Sequence, residues 1–227
     1  DWEETWLFDI GYGEIEDETY EEILRKSASI LEQLYDRQSG AASSRSMADA
    51  LAPIFKNLSG DPIIKRGIQW WLASTIEAEY ASNLDELSFK HWNMDDAYRG
   101  DDVVVSGGYS QIVNRLVEGL NIKYGHVVNK ISQTLDKVMV TTDQGVIQCD
   151  QAVVTLPLGV LQKNKVEFEP GLTDEKITSI GRLGMGTLNK IALRFSKRFW
   201  PEDAYVLGLL NSSTENLIEY FPMTPYS

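Results

Sequence analysis

The stretch LGMGTLNKIALRFSKRFW, residues 183–200, divides into a glycine-punctuated turn, Gly184-Met185-Gly186, and a run with strand alternation over 187–195. On that run Asn189, Ile191, Leu193 and Phe195 share one face, and Leu188, Lys190, Ala192 and Arg194 share the other, because side chains alternate across a strand. The first face reads as core. The second sets the Lys190 ammonium between a leucine and an alanine. Such a lysine is either a strand-edge residue with its head in water or a partly desolvated amine held at a reaction centre.

Before this stretch, Thr173 caps a helix carrying Ile177 and Ile180. The solid apolar run 152–156 reads as a strand covered on both faces and is ended by Pro157 and Gly159. Further back, short runs over 121–124, 127–133 and 137–142 lead to Asp143-Gln144-Gly145, a hairpin-type turn into 146–149. The 103–105 run ends in Gly107-Gly108, and Ser110 then opens a helix with Ile112, Val113, Leu116 and Val117 on its buried side and Gly119 at its end. Upstream the chain is helical. Thr19 with Glu22 makes a capping box, followed by an Ile23, Ser27, Ile30, Leu31, Leu34 stripe. Ser46 is a cap before Met47, and Asp61-Pro62 starts a helix with Ile64, Ile68, Trp71, Leu72, Thr75 and Ile76 at helical spacing. The opening, DWEETWLFDIGYGEIEDE, shows no element that begins a domain and reads as a continuation. The expected fold is α+β: mainly helical over 1–100, a helix and β-meander over 101–160, and a return to sheet over 161–227.

With 227 residues, the chain can bury a substantial core. No run approaches the ~20 apolar residues of a membrane span, and no signal peptide is visible, so we expect an intracellular protein. A net charge of −13 argues against a nucleic-acid surface and suits attraction of a cationic ligand, although acidity also serves solubility alone. The lone Cys149 excludes an internal disulfide, and His91 and His126 are too scattered for a metal centre.

Three ordered blocks resemble the flavin-dependent amine oxidases, on the side of the lysine-specific histone demethylases and polyamine oxidases. They are PLGVLQKNKVEFEPGLTDEKITSIGRLGMGTLNKIALRFSKRFWP over 157–201, LSFKHWNMDD over 87–96, and VSGGYSQIVNRLVEGLNIKYGHVVNKI over 105–131. The resemblance implies that Lys190, in the Leu188-Asn189-Lys190 run, holds a water against the flavin N5. It implies that Val128 meets the adenine through its backbone, and that Thr155, Leu156 and Pro157 lie beside the cofactor at a strand C-terminus, the usual ligand edge of such sheets. It also implies a substrate-binding part at 1–100, part of a Rossmann-like FAD-binding domain at 101–160, and substrate-binding sheet at 161–227. Cys149 does not match the family's covalent flavin attachment and reads as a small buried residue.

Amine oxidation removes a hydride from the carbon beside nitrogen, and no side chain accepts one, so a cofactor must. A G-x-G-x-x-G fingerprint is nevertheless absent. Gly11-Tyr12-Gly13 is followed by Glu16, and Gly184-Met185-Gly186 by Asn189, where the third glycine belongs. The resemblance therefore implies the middle of an amine oxidase, expected to bind FAD weakly or not at all alone. For a cationic substrate, Glu77 and Glu79 follow Trp70 and Trp71; two apart on a helix, at most one faces a cleft, and Glu77 better matches the family's acidic position. A solvated helix end is the alternative for both. Asp95 and Asp96 read as loop charges, His91-Trp92 as a packing pair, and Tyr109 as a neighbour of the cofactor edge. The expected function is oxidation of a polyamine or N-methylated lysine to an imine, with oxygen as reoxidant. The rivals are a non-catalytic acidic module gripping a basic peptide or polyamine, and a flavin enzyme acting on a non-amine.

Overall fold

The computed structural model describes residues 5–58, 60–94, 100, 103, 105–210 and 219–223. They form an α+β protein of two compact units, one made of Asp1–Asp102 with Gly186–Ser227 and the other of Val103–Met185. Among the described residues no helix is long and apolar enough to cross a membrane.

The first unit is built on α1 (Asp17–Gln38), whose Ile23, Ser27, Ile30 and Leu34 are buried. Their spacing makes one stripe along the helix. The helix begins two residues before Thr19, from an extended Glu16 that makes no side-chain cap, so the expected Thr19–Glu22 capping box does not form. Asp17 and Glu18 instead occupy the first turn, where the helix dipole favours acids. In α2 (Met47–Asn57) the expected cap is present: Ser46 Oγ accepts from the Asp49 amide at 3.1 Å, and Asp49 returns the bond to the Ser46 amide. Pro53 lies inside this helix and cannot donate to the Asp49 carbonyl; Arg45 Nη2 donates to that oxygen instead, at 3.2 Å.

Asp61 caps α3 (Pro62–Leu72) by accepting from the Ile63 amide at 2.8 Å. The helix then widens into a π-helical turn, Ala73–Glu77, and closes with α4 (Ala78–Tyr80) at Ala81, whose φ is +49°. Trp70, Leu72 and Ile76 from this segment pack with Ile23, Leu34 and Phe89 in the core. Gly67 lets α3 approach α1 closely, since a Cβ there would stand 2.2 Å from Ile23 Cδ1.

A four-stranded sheet lies in the same unit. Its strands are β1 (Thr5–Asp9), β2 (Gly13–Glu14), β7 (Val206–Leu210) and β8 (Glu219–Tyr220), in the order β2-β1-β7-β8. β1 and β7 run parallel, Thr5 opposite Val206; the other pairs are antiparallel. The opening segment, which showed no element that begins a domain, supplies an inner strand of this sheet. Arg66 of α3 ties that strand down. Its Nη2 and Nε lie 2.7 and 2.8 Å from Asp9 Oδ2, while the Gly11 amide donates to Oδ1 at 2.8 Å. Burial pushes the Asp9 carboxyl up, but the Gly11 amide and the Arg66 guanidinium outweigh it and hold the carboxyl below its usual range.

The second unit contains α5 (Ser110–Leu116), β3 (Val128–Gln133), β4 (Val138–Thr142), β5 (Gly145–Cys149), α6 (Leu158–Gln162), β6 (Glu167–Glu169) and α7 (Asp174–Arg182). The sheet order is β5-β4-β3-β6, with β6 parallel to β3. The hairpin between β4 and β5 forms as expected, with Gly145 at φ +129° and Thr142 Oγ1 donating to the Gly145 carbonyl at 2.9 Å. Thr173 caps α7 by accepting from the Lys176 amide. Lys130 on β3 reaches Glu167 at 3.0 Å and Glu169 at 2.6 Å on β6, and these bonds, Glu169 first, hold its ammonium above the usual lysine range.

Apolar faces in this unit are left open. Ile112, Val113 and Leu116 of α5, expected on a buried side, are 45%, 53% and 72% exposed. The 152–156 run, expected as a strand covered on both faces, is extended without a ladder partner, and its Val153 is 89% exposed. A lone strand has no ladder to join; among the described residues none lies alongside it. The 121–124 run likewise forms no strand.

Candidate functional site

The Lys190 run begins where Gly186 passes the end of α4. A Cβ on Gly186 would stand 1.8 Å from the Ala81 carbonyl oxygen, so only a glycine allows this backbone contact. Residues 187–195 then continue without strand pairing, and Leu188, Ile191, Leu193 and Phe195 are 60%, 64%, 55% and 51% exposed. The expected strand, with one face in the core, is therefore not formed among the described residues. Lys190 is exposed as well, so the desolvation expected around its amine is not supplied by the described chain. Past the run, Phe195, Phe199 and Trp200 gather edge to face, with ring centroids 4.8 to 5.8 Å apart.

Glu77 closes the π-helical turn and is half-buried. Its Oε1 accepts from the Leu84 amide at 2.9 Å and its carbonyl from the Ser82 amide at 3.1 Å, so it ties down the reversal after α4. Glu79 is exposed. Trp70 and Trp71 are buried at 3% and 9% and serve the core, not a cation. Trp92 stacks on Tyr35 at 5.9 Å and meets Tyr80 edge-on, which makes it a packing residue. Tyr109 is 70% exposed, and Cys149 is half-buried with its thiol 3.6 Å from the Val138 carbonyl. Asp95 and Asp96 lie outside the described residues.

The residues assigned to the cofactor lie in the second unit. Val128 opens β3 opposite Thr142 and is half-buried. Thr155 and Pro157 are exposed and Leu156 is half-buried, at the end of the extended run before the five-residue α6. These residues do not themselves make a phosphate cradle, which needs a glycine-rich turn opening a helix.

One carboxylate escaped the sequence reading. Glu219 on β8 is half-buried and accepts a hydrogen bond from Ser74 Oγ on the π-helical turn. Burial pushes its carboxyl above the usual range, with the Ser74 bond opposing. Tyr20 of α1 lies near: burial raises its hydroxyl pKa, and the Glu219 charge adds to the rise. No local pattern marks Glu219, because its burial comes from α1 and the π-helical turn, far away in sequence.

Comparison with known proteins matches residues 26–226 to the family described as flavin containing amine oxidoreductase. The chain is 33% identical over 198 residues to lysine-specific histone demethylase 1 homolog 2 of Arabidopsis thaliana, covering 86% of this chain and 26% of that protein. It is 34% identical over 210 residues to polyamine oxidase 5 of Oryza sativa subsp. japonica, covering 90% of this chain and 40% of that protein. Polyamine oxidase 3 of the same rice is 32% identical over 212 residues, covering 92% of this chain and 43% of that protein. The chain thus spans less than half the length of these relatives. With nearly all of its length matched, the chain belongs to the flavin containing amine oxidoreductase family.

Proposed function

We propose that this chain is the central part of an FAD-dependent amine oxidase that converts a polyamine or an N-methylated lysine to an imine. The family match over residues 26–226 carries the reading. Relatives named as polyamine oxidases and as lysine-specific histone demethylases support both substrate classes. FAD is the cofactor of this family, and when bound it supplies the hydride acceptor. Val128, Thr155, Leu156 and Pro157 are the residues assigned to the edge of that group, and the sequence carries no G-x-G-x-x-G turn for its phosphates. The chain by itself is therefore expected to hold FAD weakly.

The chain's own residues take the remaining tasks. Lys190 holds the water at the reaction centre, its amine desolvated by parts of the complete protein that cover the exposed run. The carboxylates Glu77 and Glu79 draw the cationic substrate. The Glu77 oxygen not bonded to Leu84 remains for that purpose. The substrate nitrogen must be unprotonated to release a hydride from its neighbouring carbon, so activity falls in acid. Oxygen would be the reoxidant when the cofactor is bound, and water would hydrolyse the imine to an aldehyde and an amine. Residues 1–100 and 161–227 form the substrate-binding part, and residues 101–160 the partial FAD-binding part.

The complete protein carrying this sequence should release peroxide with spermine or with a methyl-lysine peptide; no release with either overturns the reading. In that protein Lys190→Met should slow flavin reduction or reoxidation at least about tenfold, equivalent to about 1.4 kcal/mol of barrier. An unchanged rate returns Lys190 to a solvated surface residue.

A further inference from the structure

We infer that Glu219 is a substrate-binding carboxylate that receives an aliphatic ammonium, the charged end of the amine remote from the bond being oxidised. The inference rests on the amine-oxidase reading and names a group of the site that the sequence did not mark. Two observations lead to it.

First, Glu219 is half-buried yet meets no cation among the described residues; its one hydrogen-bond partner there is the Ser74 hydroxyl. A carboxylate withdrawn from water is favoured by an opposite charge. Asp9 in the same unit shows the alternative, since Arg66 already fills that role. Glu77 differs again: the Leu84 backbone amide already holds one of its oxygens, and Glu79 stands in solvent. Of these acids, Glu219 is the half-buried one whose carboxylate meets only a neutral side-chain hydroxyl among the described residues. The upward shift of its carboxyl by burial agrees, because an ammonium would reverse it.

Second, Glu219 and the Lys190 run rest on one helical segment. Ser74, which touches Glu219, and Ala81, against which Gly186 packs, lie seven residues apart. That is about 10 Å of helix axis. A substrate lying along this segment can place one nitrogen near Glu219 and another toward the start of the Lys190 run.

The test uses the complete holoprotein and two probes of equal length, putrescine with two ammoniums and butylamine with one. Binding of each is measured by calorimetry in the wild type and in Glu219→Gln, which keeps the acceptor for Ser74 and removes the charge. The wild type should prefer putrescine, and the variant should lose about tenfold of putrescine affinity while butylamine and FAD content stay unchanged. With an oxidised polyamine, KM should rise and kcat stay within about twofold. Should Glu219→Gln lose FAD or unfold, Glu219→Asp, which keeps the charge and withdraws it by one methylene, is read in its place. It should retain part of the preference. Equal putrescine affinity in wild type and variant overturns the inference even if polyamines are oxidised. Absence of any amine oxidation with the putrescine preference intact overturns the enzymatic reading instead.

Discussion

Replacing Arg66 with methionine asks how strand β1 is held. Asp9 is 5% exposed, and the Arg66 side chain, 24% exposed, places two nitrogens within 2.8 Å of Oδ2. With charge centres roughly 4 Å apart and an effective dielectric near 20, the gross attraction is about 4 kcal/mol. Methionine keeps much of the apolar stem but strands the buried carboxylate, leaving the Gly11 amide to satisfy Oδ1. Removing one partner of a buried pair costs about 3–5 kcal/mol; the retained Gly11 bond places the expected loss near 3 kcal/mol. The pH dependence follows from the direction of the shift. The Asp9 carboxyl sits below its usual range when folded, so its contribution is present above the unfolded value of 3.8 and is lost as pH falls through the lowered one. In the variant, burial no longer meets a guanidinium and pushes the carboxyl up, so protonation relieves the penalty sooner. Urea unfolding followed by tryptophan fluorescence should give a gap of about 3 kcal/mol near pH 7 that narrows toward about pH 4. A gap below about 1 kcal/mol, or one that stays constant with pH, would refute the account.

Gly208→Ala should destabilise the first unit by about 1–3 kcal/mol, because its Cβ would lie 2.6 Å from Leu7 Cδ1 and 2.7 Å from Trp70 Cζ2; an unchanged melting temperature would show that the β7–α3 packing has slack. Ser46→Ala removes the acceptor for the Asp49 amide and should cost about 1 kcal/mol, read as a shift in the urea midpoint, with Ser46→Asp restoring most of it.

What the sequence disclosed was chiefly local. Ser46, Asp61 and Thr173 cap their helices as read, because a cap concerns residues within one turn of each other. The α1 stripe was legible for the same reason, although the early acids Asp17 and Glu18 start that helix before Thr19. The β1–β7 pair was not legible, since each strand is five residues long and its partner lies about 200 positions away. The 152–156 and 187–195 runs show the opposite failure: their apolar patterns are plain, but a pattern does not provide the neighbouring strands that would cover it. The π-helical turn at Ala73–Glu77 carries no composition signal, and it is this turn that directs Ser74 to Glu219. The candidate site was thus half visible. Lys190 stands out by sequence alone, whereas Glu219 owes its character to what surrounds it.

The parallel seam between Thr5–Asp9 and Val206–Leu210 also sets a timetable for the newborn polypeptide. At about 5–20 residues per second, a ribosome takes on the order of 10–40 s to deliver the mate of the first strand. Throughout that wait Leu7 and its neighbours lack the shelter of β7, and Asp9 and Arg66 can meet only in a half-made sheet. Chaperone capture of Thr5–Asp9 during translation is therefore expected until Val206–Leu210 has emerged to pair with it.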